Sequence, residues 1–208
     1  MIATKDVCFS YPNLNFSFPD LECKSGETLL ITGKSGTGKT TLLHILSGIL
    51  KPESGKVVIG ETAIEKLSDK NLDGFRGQHI GLVLQQSHFI ASLSVLENIV
   101  LTSWLSDKVQ KTEKAKALLK QLGLEDQMYK NTSQLSIGQQ QRASIARALI
   151  NEPKVLLADE PTSSLDDDNA EIVANLLANL SKQYNASLII VTHDQRLKSK
   201  FKNSIELQ

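Results

Sequence analysis

Gly33-Lys34-Ser35-Gly36-Thr37-Gly38-Lys39-Thr40 lies between a short apolar run, Glu27 to Thr32, and a helical pattern from about Lys39 to Gly48. It fits G-x-x-x-x-G-K-[ST], the pattern of a phosphate-binding loop between a strand and a helix. Glycines let the backbone curve closely around phosphate oxygens, so that successive N–H groups point inward beside the positive end of the helix. Lys39 is then expected to reach the β- and γ-phosphates of a nucleotide, and the Thr40 hydroxyl to bind Mg²⁺. A Gly- and Ser-rich turn is the plainer alternative, and the loop alone leaves kinases, GTPases and many ATPases open.

The composition is typical of a chain that forms one compact domain. It has 208 residues, of which 40% are hydrophobic, and 23 Lys and Arg balance 23 Asp and Glu. This balance argues against a long electrostatic contact with nucleic acid, and we expect no nucleic-acid partner. No run approaches the roughly 18 apolar residues that span a bilayer, and the N-terminus lacks the apolar core of a signal peptide. We therefore expect a cytoplasmic protein, with Cys8 and Cys23 in neither a disulfide framework nor a zinc site.

Strands and helices alternate along most of the chain. Val7 to Tyr11 and the alternating Leu14, Phe16 and Phe18 predict paired antiparallel strands near the N-terminus. Short apolar runs and one helical pattern follow the same alternation later in the sequence. They predict strands at Lys56 to Ile59, Ile80 to Leu84, Val155 to Ala158, Leu188 to Thr192 and Ile205 to Leu207, and a helix from about Asp168 to Tyr184.

One block of the sequence has a different character. From about Ser94 to Ile150 the pattern predicts helix almost throughout, beginning with a capping box at Ser94-Val95-Leu96-Glu97 and including a helix over Lys108 to Leu122. A helical block inside a strand–helix alternation predicts a single α/β domain with an inserted α-helical subdomain. We place the core at residues 1–85 and 151–208, with an antiparallel β subdomain, and the helical subdomain at about 86–150.

Two carboxylates follow the predicted strand Val155-Leu156-Leu157-Ala158. A buried strand would hold Asp159 beside the phosphate loop, where it can bind Mg²⁺, while Glu160 polarises a water that attacks the γ-phosphate. An ordinary acidic turn after a strand is the alternative. The upstream phosphate loop favours the catalytic interpretation.

A second polar turn precedes this strand, at Leu135-Ser136-Ile137-Gly138-Gln139-Gln140-Gln141-Arg142. Here the chain resembles the ABC ATPases, whose signature is usually written L-S-G-G-Q and also stands ahead of the acidic strand. An N-cap serine before a polar helix is the alternative explanation. Ile137 departs from the signature by standing where the family usually has a glycine, so this turn carries an added β-branched side chain.

The resemblance extends over most of the chain and implies roles for further residues. It implies an ABC-type P-loop NTPase core with a mixed sheet, in which two copies of the chain form a homodimer around two ATP molecules. Glu160, His193, Lys39 and Gln85 would be catalytic, and Thr40, Gln85 and Asp159 would hold Mg²⁺. Ser164-Leu165-Asp166 resembles the D-loop, which contacts the opposite subunit. The implied ATP-binding residues are Tyr11, whose ring would stack on adenine, Gly33, Lys34, Ser35, Gly36, Thr37, Gly38, Lys39, Thr40 and Thr41, with Ser136, Gly138 and Gln139 acting on the ATP of the opposite subunit.

The resemblance also implies a partner. An ABC ATPase without membrane segments works with a separate integral membrane permease, which we expect around residues 86–104, and it sits peripherally on the cytoplasmic face of the membrane. Leu157-Ala158-Asp159-Glu160-Pro161-Thr162 resembles the lipoprotein-releasing, macrolide-exporting and cell-division ATPases, whereas Ser163-Ser164-Leu165-Asp166 departs from them. A soluble ABC ATPase acting on nucleic acid or ribosomes is the alternative function. A nucleotide-binding module that no longer hydrolyses ATP is a third.

Overall fold

The computed structural model describes the whole chain, Met1 to Gln208, and its regular elements alternate as the sequence predicts. The strands are β1 (Ile2–Tyr11), β2 (Leu14–Ser17), β3 (Glu22–Cys23), β4 (Thr28–Gly33), β5 (Ser54–Ile59), β6 (Thr62–Ala63), β7 (Ile80–Val83), β8 (Val155–Asp159), β9 (Ser187–Val191) and β10 (Ser204–Leu207). The α-helices are α1 (Lys39–Leu46), α2 (Asp69–His79), α3 (Val95–Asp107), α4 (Thr112–Gln121), α5 (Ile137–Leu149), α6 (Asp167–Gln183) and α7 (Gln195–Lys200). None of these helices combines the length and the apolar character that a bilayer span requires.

The strands form two sheets. The antiparallel sheet has the order β2-β1-β5-β6, with β3 also paired to β1, and the parallel sheet has the order β10-β4-β9-β8-β7. The predicted α/β class is confirmed, and the antiparallel and parallel strands lie in separate sheets rather than in one mixed sheet. The parallel strands β8 and β9 are almost fully buried, as expected when helices or a second sheet cover both faces.

The parallel sheet separates two hydrophobic clusters. Along β4, Leu30 belongs to the cluster shared with α3, α4, α5 and α6, whereas Leu29 and Ile31 belong to the cluster shared with α1 and the antiparallel sheet. Leu156 and Leu157 on β8 divide in the same way. This follows from the period of two in a strand, which turns successive side chains to opposite faces. Both faces of the sheet are therefore core.

The helical block is confirmed in part. Ser94 caps α3 with the predicted capping box, in which the Ser94 hydroxyl accepts from the Glu97 amide and the Glu97 carboxylate accepts from the Ser94 amide. The predicted start of the next helix at Lys108 is wrong, because Lys108 adopts a left-handed conformation with φ 63° that ends α3. Helix α2 was not predicted; it contains two glycines and buries no residue fully, so it carries little hydrophobic periodicity.

The close packing of α5 on β7 gives a test of the core. A Cβ at Gly81 would lie 2.5 Å from the Ala148 carbonyl oxygen and 3.0 Å from both Leu156 and Pro153. We expect Gly81→Ala to lower the free energy of unfolding by about 1–3 kcal/mol, because the helix must move away from the strand. Gly74→Ala is the control, since a Cβ at Gly74 meets nothing within 4 Å and alanine is favoured over glycine in a helix by roughly 0.5–1 kcal/mol. Chemical denaturation of both variants measures the difference, and equal stability would contradict the packing argument.

Candidate functional site

The phosphate-loop sequence forms the predicted strand–loop–helix turn. β4 ends at Gly33, α1 begins at Lys39, and Gly38 precedes the helix in a left-handed conformation with φ 84°. A Cβ at Gly38 would lie 2.6 Å from the Phe16 ring, so only glycine fits both the turn and its neighbour. The Lys39 ammonium lies inside the curve of the loop, where it donates to the carbonyl oxygens of Gly33 at 2.9 Å and Lys34 at 2.8 Å.

A cavity of about 660 Å³ opens beside this loop. It brings together side chains that are far apart in the sequence, and they come from the aromatic strands, the phosphate loop and the ends of three parallel strands. Its lining consists of Tyr11, Leu14, Phe16, Ser35, Gly36, Gly38, Lys39, Thr40, Thr41, Gln85, Glu160 and His193. Most of these residues were predicted site residues. Leu14 and Phe16 were predicted only as strand residues, because nothing in the local pattern shows that β2 packs over the loop.

Aromatic side chains form one wall of the cavity. The Tyr11 ring meets Phe9 and Phe16 edge-on, with ring centroids 5.0 and 6.2 Å apart, and Phe16 stacks on Phe18 at 5.7 Å. Tyr11 nevertheless remains 42% exposed. Edge contacts thus hold the tyrosine in place and leave part of its surface free to pack against a flat ligand.

The carboxylate of Glu160 is held by the loop that follows β9. Its Oε1 accepts from the His193 amide at 3.1 Å and lies 2.6 Å from His193 Nδ1, and its Oε2 accepts from the Thr192 hydroxyl at 2.7 Å. The Glu160 side chain is largely buried, whereas the His193 ring is mostly exposed. Glu160 also has a positive φ of 47°, a strained conformation of the kind that concentrates at functional sites. Glu160 and His193 were both predicted; Thr192 was not.

Asp159 and Thr40 face each other at the end of β8. The Thr40 hydroxyl donates to Asp159 Oδ2 at 3.3 Å. Burial raises the pKa of Asp159 above its usual value, with a contribution from the Glu160 carboxylate, and the hydrogen bond from Thr40 offsets this only in part. The pair offers a carboxylate and a hydroxyl oxygen, which are ligands that Mg²⁺ prefers. Mg²⁺ usually takes only a few ligands from the protein when substrate phosphates complete its coordination shell. The residues therefore fit the predicted ion.

The signature segment lies outside this cavity. Ser136 caps α5, because its hydroxyl accepts from the Gln139 amide while the Gln139 side chain accepts from the Ser136 amide. A Cβ at Gly138 would lie 2.9 Å from the Asn169 side chain, so the turn packs tightly on α6. Ile137 is 60% exposed. Ser136, Gly138 and Gln139 do not line the cavity that contains the phosphate loop of the same chain.

Gln85 connects this cavity with the helical block. It follows β7, and it lines both the 660 Å³ cavity and a second cavity of about 440 Å³ against α5. In the second cavity its neighbours include Gln140 and Ile137 of the signature helix. Gln85 therefore lies at the boundary between the two cavities.

A polar network that the sequence did not predict lies behind the Glu160 and His193 loops. Thr162 donates to the carboxylate of Asp194 at 2.7 Å, and Arg196 donates to the same carboxylate. The only local signal was an Asp directly after His193 with an Arg two positions further on, a spacing too common to single out.

The family model of the ABC transporter matches residues 17–163, which include the phosphate loop, the signature segment and the acidic strand end. The chain belongs to the ABC transporter family. As an ATPase of this family it binds and hydrolyses ATP.

Curated members of this family are similar in sequence to this chain over most of their length. The chain is 40% identical over 196 residues to the lipoprotein-releasing system ATP-binding protein LolD of Buchnera aphidicola subsp. Acyrthosiphon pisum, covering 93% of this chain and 85% of that protein. It is 41% identical over 180 residues to LolD of Legionella pneumophila strain Paris, covering 86% and 79%. The resemblance to lipoprotein-releasing ATPases is therefore confirmed.

Solved ABC structures share the fold. A dimeric post-hydrolysis state of the ATP-binding cassette MJ0796 bound to ADP and Pi superposes with a TM-score of 0.88 at 33% identity, covering all of this chain and 94% of that one. The structure of cbiO1 from Clostridium perfringens, part of the ABC transporter complex cbiONQ, gives a TM-score of 0.82 at 32% identity, covering 93% and 78%. These relatives favour the transporter interpretation over a soluble ATPase acting on nucleic acid or ribosomes.

The buried carboxyl beside Thr40 gives a test of the site's electrostatics. Because the pKa of Asp159 is raised in the folded protein, ionising it costs stability as the pH rises through that pKa. We expect Asp159→Asn to raise the Tm of the nucleotide-free ABC protein at neutral pH. The gain should shrink at acidic pH, where the wild-type carboxyl is protonated in both the folded and the unfolded state. Asp168→Asn, at an exposed position of α6, is the control, and an equal gain there would contradict the assignment.

Proposed function

We propose that the chain is the ATP-hydrolysing subunit of a membrane transporter of the lipoprotein-releasing type, and that its residues divide between two half-sites. The observation that carries this proposal is the single cavity that joins the phosphate loop, Glu160 and His193. ATP would place its phosphates in the curve of the loop around Lys39 and its adenine against Tyr11. The apolar wall formed by Leu14 and Phe16 suits the flat base.

Hydrolysis in this proposal uses the Glu160 carboxylate as the general base. A water attacks the γ-phosphorus, the bond to the oxygen of the leaving ADP breaks, and Glu160 accepts a proton from the water. The hydrogen bond from the Thr192 hydroxyl at 2.7 Å and the contact with His193 Nδ1 at 2.6 Å hold the Glu160 carboxylate in one orientation. The exposed edge of the His193 ring is then available to the γ-phosphate. The Lys39 ammonium balances negative charge on the phosphates.

Mg²⁺ would be held by the Thr40 hydroxyl, Asp159 and Gln85. When bound, the ion would neutralise charge on the β- and γ-phosphates. The protein's own contribution is to keep the two oxygen groups of Thr40 and Asp159 together at the end of β8. The raised pKa of Asp159 supports the assignment, because a partly desolvated carboxylate gains from a nearby cation.

A second copy of the chain would complete each ATP site. Ser136, Gly138 and Gln139 stand at a helix N-terminus, a favourable place for an anion, yet they do not line the cavity of their own chain. A head-to-tail homodimer would bring them to the γ-phosphate of the other copy, and the related cassette MJ0796 forms a dimer. The exposed Ile137 side chain would then be covered in the closed dimer.

The permease would contact the helical side of the protein. Within residues 86–104, Ile90 and Trp104 are partly exposed, and Phe89 is held under the guanidinium of Arg147 at 4.7 Å. A groove of about 650 Å³ between α2, α3 and α5 adjoins this segment. We propose that the groove receives a permease segment at the cytoplasmic face of the membrane. We further propose that residues about 86–150 form a helical subdomain on a core of residues 1–85 and 151–208.

Replacing the proposed base tests the mechanism. Glu160→Gln keeps the side-chain size but cannot accept the proton, so we expect kcat to fall by on the order of a hundredfold or more. ATP binding should persist, and the variant should accumulate as an ATP-bound dimer in size-exclusion chromatography with light scattering. Glu171→Gln on the exposed face of α6 is the control. Turnover equal to wild type in Glu160→Gln would remove Glu160 from the catalytic role.

The proposed homodimer leads to a separate prediction. In the Glu160→Gln background, Ser136→Ala removes a hydroxyl that the proposal places on the ATP of the second copy, so we expect the ATP-dependent dimer to weaken. Binding of a fluorescent ATP analogue by the monomer should stay unchanged, because Ser136 does not line the cavity of its own chain. A dimer of unchanged strength, or hydrolysis by a strict monomer, would contradict the shared site.

A further inference from the structure

Arg196, on α7, uses all three guanidinium nitrogens to hold two loops together. Nε donates to both carboxylate oxygens of Asp194, at 2.9 and 3.0 Å, and Nη2 donates to Asp194 Oδ2 at 2.7 Å. Nη2 also donates to the Thr162 carbonyl at 3.1 Å, and Nη1 donates to the Leu165 carbonyl at 3.4 Å and to Asp167 at 2.6 Å. Asp194 follows His193, whereas the other acceptors belong to the loop and helix start after β8. One planar cation therefore spans both loops.

The Asp194 carboxylate is the centre of this contact. Its side chain is only 9% exposed, against 37% for Arg196 and 90% for Asp167. Besides the guanidinium it accepts from the Thr162 hydroxyl at 2.7 Å. The hydrogen bonds from Arg196 lower the pKa of Asp194 to about 2, so the carboxylate remains ionised at any pH near neutrality.

From Asp194 the contacts lead directly to the proposed base. The Asp194 amide donates to the Thr192 hydroxyl at 3.0 Å, and that hydroxyl donates to Glu160 Oε2 at 2.7 Å. His193 lies between them in the chain and contacts the other carboxylate oxygen of Glu160. Asp194 therefore contacts one partner of Glu160 directly, through the Thr192 hydroxyl, and is the chain neighbour of the other, His193.

The contacts of Arg196 with Asp194 and with the loop after β8 are called the Arg196 clamp. On the side away from Asp194, the clamp holds the loop that includes Ser164, Leu165 and Asp166. This loop is partly exposed, and its resemblance to the D-loop of ABC ATPases implies a contact with the second copy in the proposed dimer. Leu197 and Phe201 anchor this part of the chain in the core, and the Asp194 carboxylate also caps α7 by accepting from the Arg196 backbone amide at 3.0 Å. What Arg196 adds is a fixed distance between the loop facing the second copy and the loop bearing His193.

We propose that Arg196 is a positioning residue for hydrolysis: it ties the loop after β8 to the loop after β9, so that docking of a second copy aligns Glu160 and His193. The proposal rests on the proposed function, since it requires ATP hydrolysis in a dimer. Arg196 touches neither substrate nor metal in this scheme. Its effect passes through Asp194 and Thr192.

The experiment compares Arg196→Gln with Lys198→Gln, which removes one positive charge from an exposed position of the same helix. We expect kcat of Arg196→Gln to fall about tenfold, a modest effect for a misplaced catalytic group, with little change in KM for ATP. Lys198→Gln should match wild type in both constants. The kcat of Arg196→Lys should lie between those of Arg196→Gln and Lys198→Gln, because a lysine ammonium cannot reach Asp194 and two carbonyl oxygens together.

A double-variant cycle separates positioning from general damage. Asp194→Asn and Arg196→Gln both weaken the Arg196–Asp194 contact, so their effects on kcat should be clearly less than additive. Wild-type kcat in a folded Arg196→Gln protein would overturn the proposal. If Arg196→Gln does not fold, Arg196→Lys decides, and full kcat in that variant would equally overturn it. Absence of ATP hydrolysis in the wild-type protein would instead refute the proposed function.

Discussion

The parallel pairing of four neighbouring strands is the constraint on which the site depends. β4, β9, β8 and β7 all point the same way, so the loops that follow them meet at one edge of the sheet. Backbone hydrogen bonds continue past the strand ends, from the Thr192 amide to the Ile31 carbonyl at 3.0 Å and from the Glu160 amide to the Val191 carbonyl at 2.8 Å. These hydrogen bonds fix where each loop begins along the strand direction, relative to its neighbours. A register slip of one residue would exchange the side chains that pack on the two faces of the sheet and would move the site with them.

The same edge stores unfavourable energy. Glu160 has a left-handed backbone, which costs a residue with a side chain roughly 1–2 kcal/mol, and Asp159 is an ionisable group whose pKa is raised by burial. Both positions belong to a strand end whose preceding residues are fully buried. The rigid strand can therefore impose strain that a flexible loop would relax. This arrangement is typical of a site in which orientation matters more than local stability.

Most of the fold and much of the site could be predicted, because the informative residues are close together in the sequence. The phosphate loop, the acidic strand end and the capped signature helix are each local patterns, and the alternation of apolar runs gives the strands between them. What could not be predicted depends on tertiary contacts. The apolar wall of Leu14 and Phe16 exists only because β2 folds over Gly38. The Arg196 clamp joins loops that are far apart in the chain, and α2 lacks the buried stripe that marks a helix.

The pairing of β10 with β4 has a consequence for how the protein is made. Ser204 pairs with Leu30, and Leu188 pairs with Thr28, so both neighbours of β4 are synthesised long after β4 itself. Contacts of such sequence separation form slowly. During translation β4 has neither of its neighbouring strands, so its backbone groups are unpaired and its apolar side chains are incompletely buried. The antiparallel strands and α1 can already pack against it. Aggregation at that stage is a hazard, and the ribosome must release nearly all of the sequence before the parallel sheet can close.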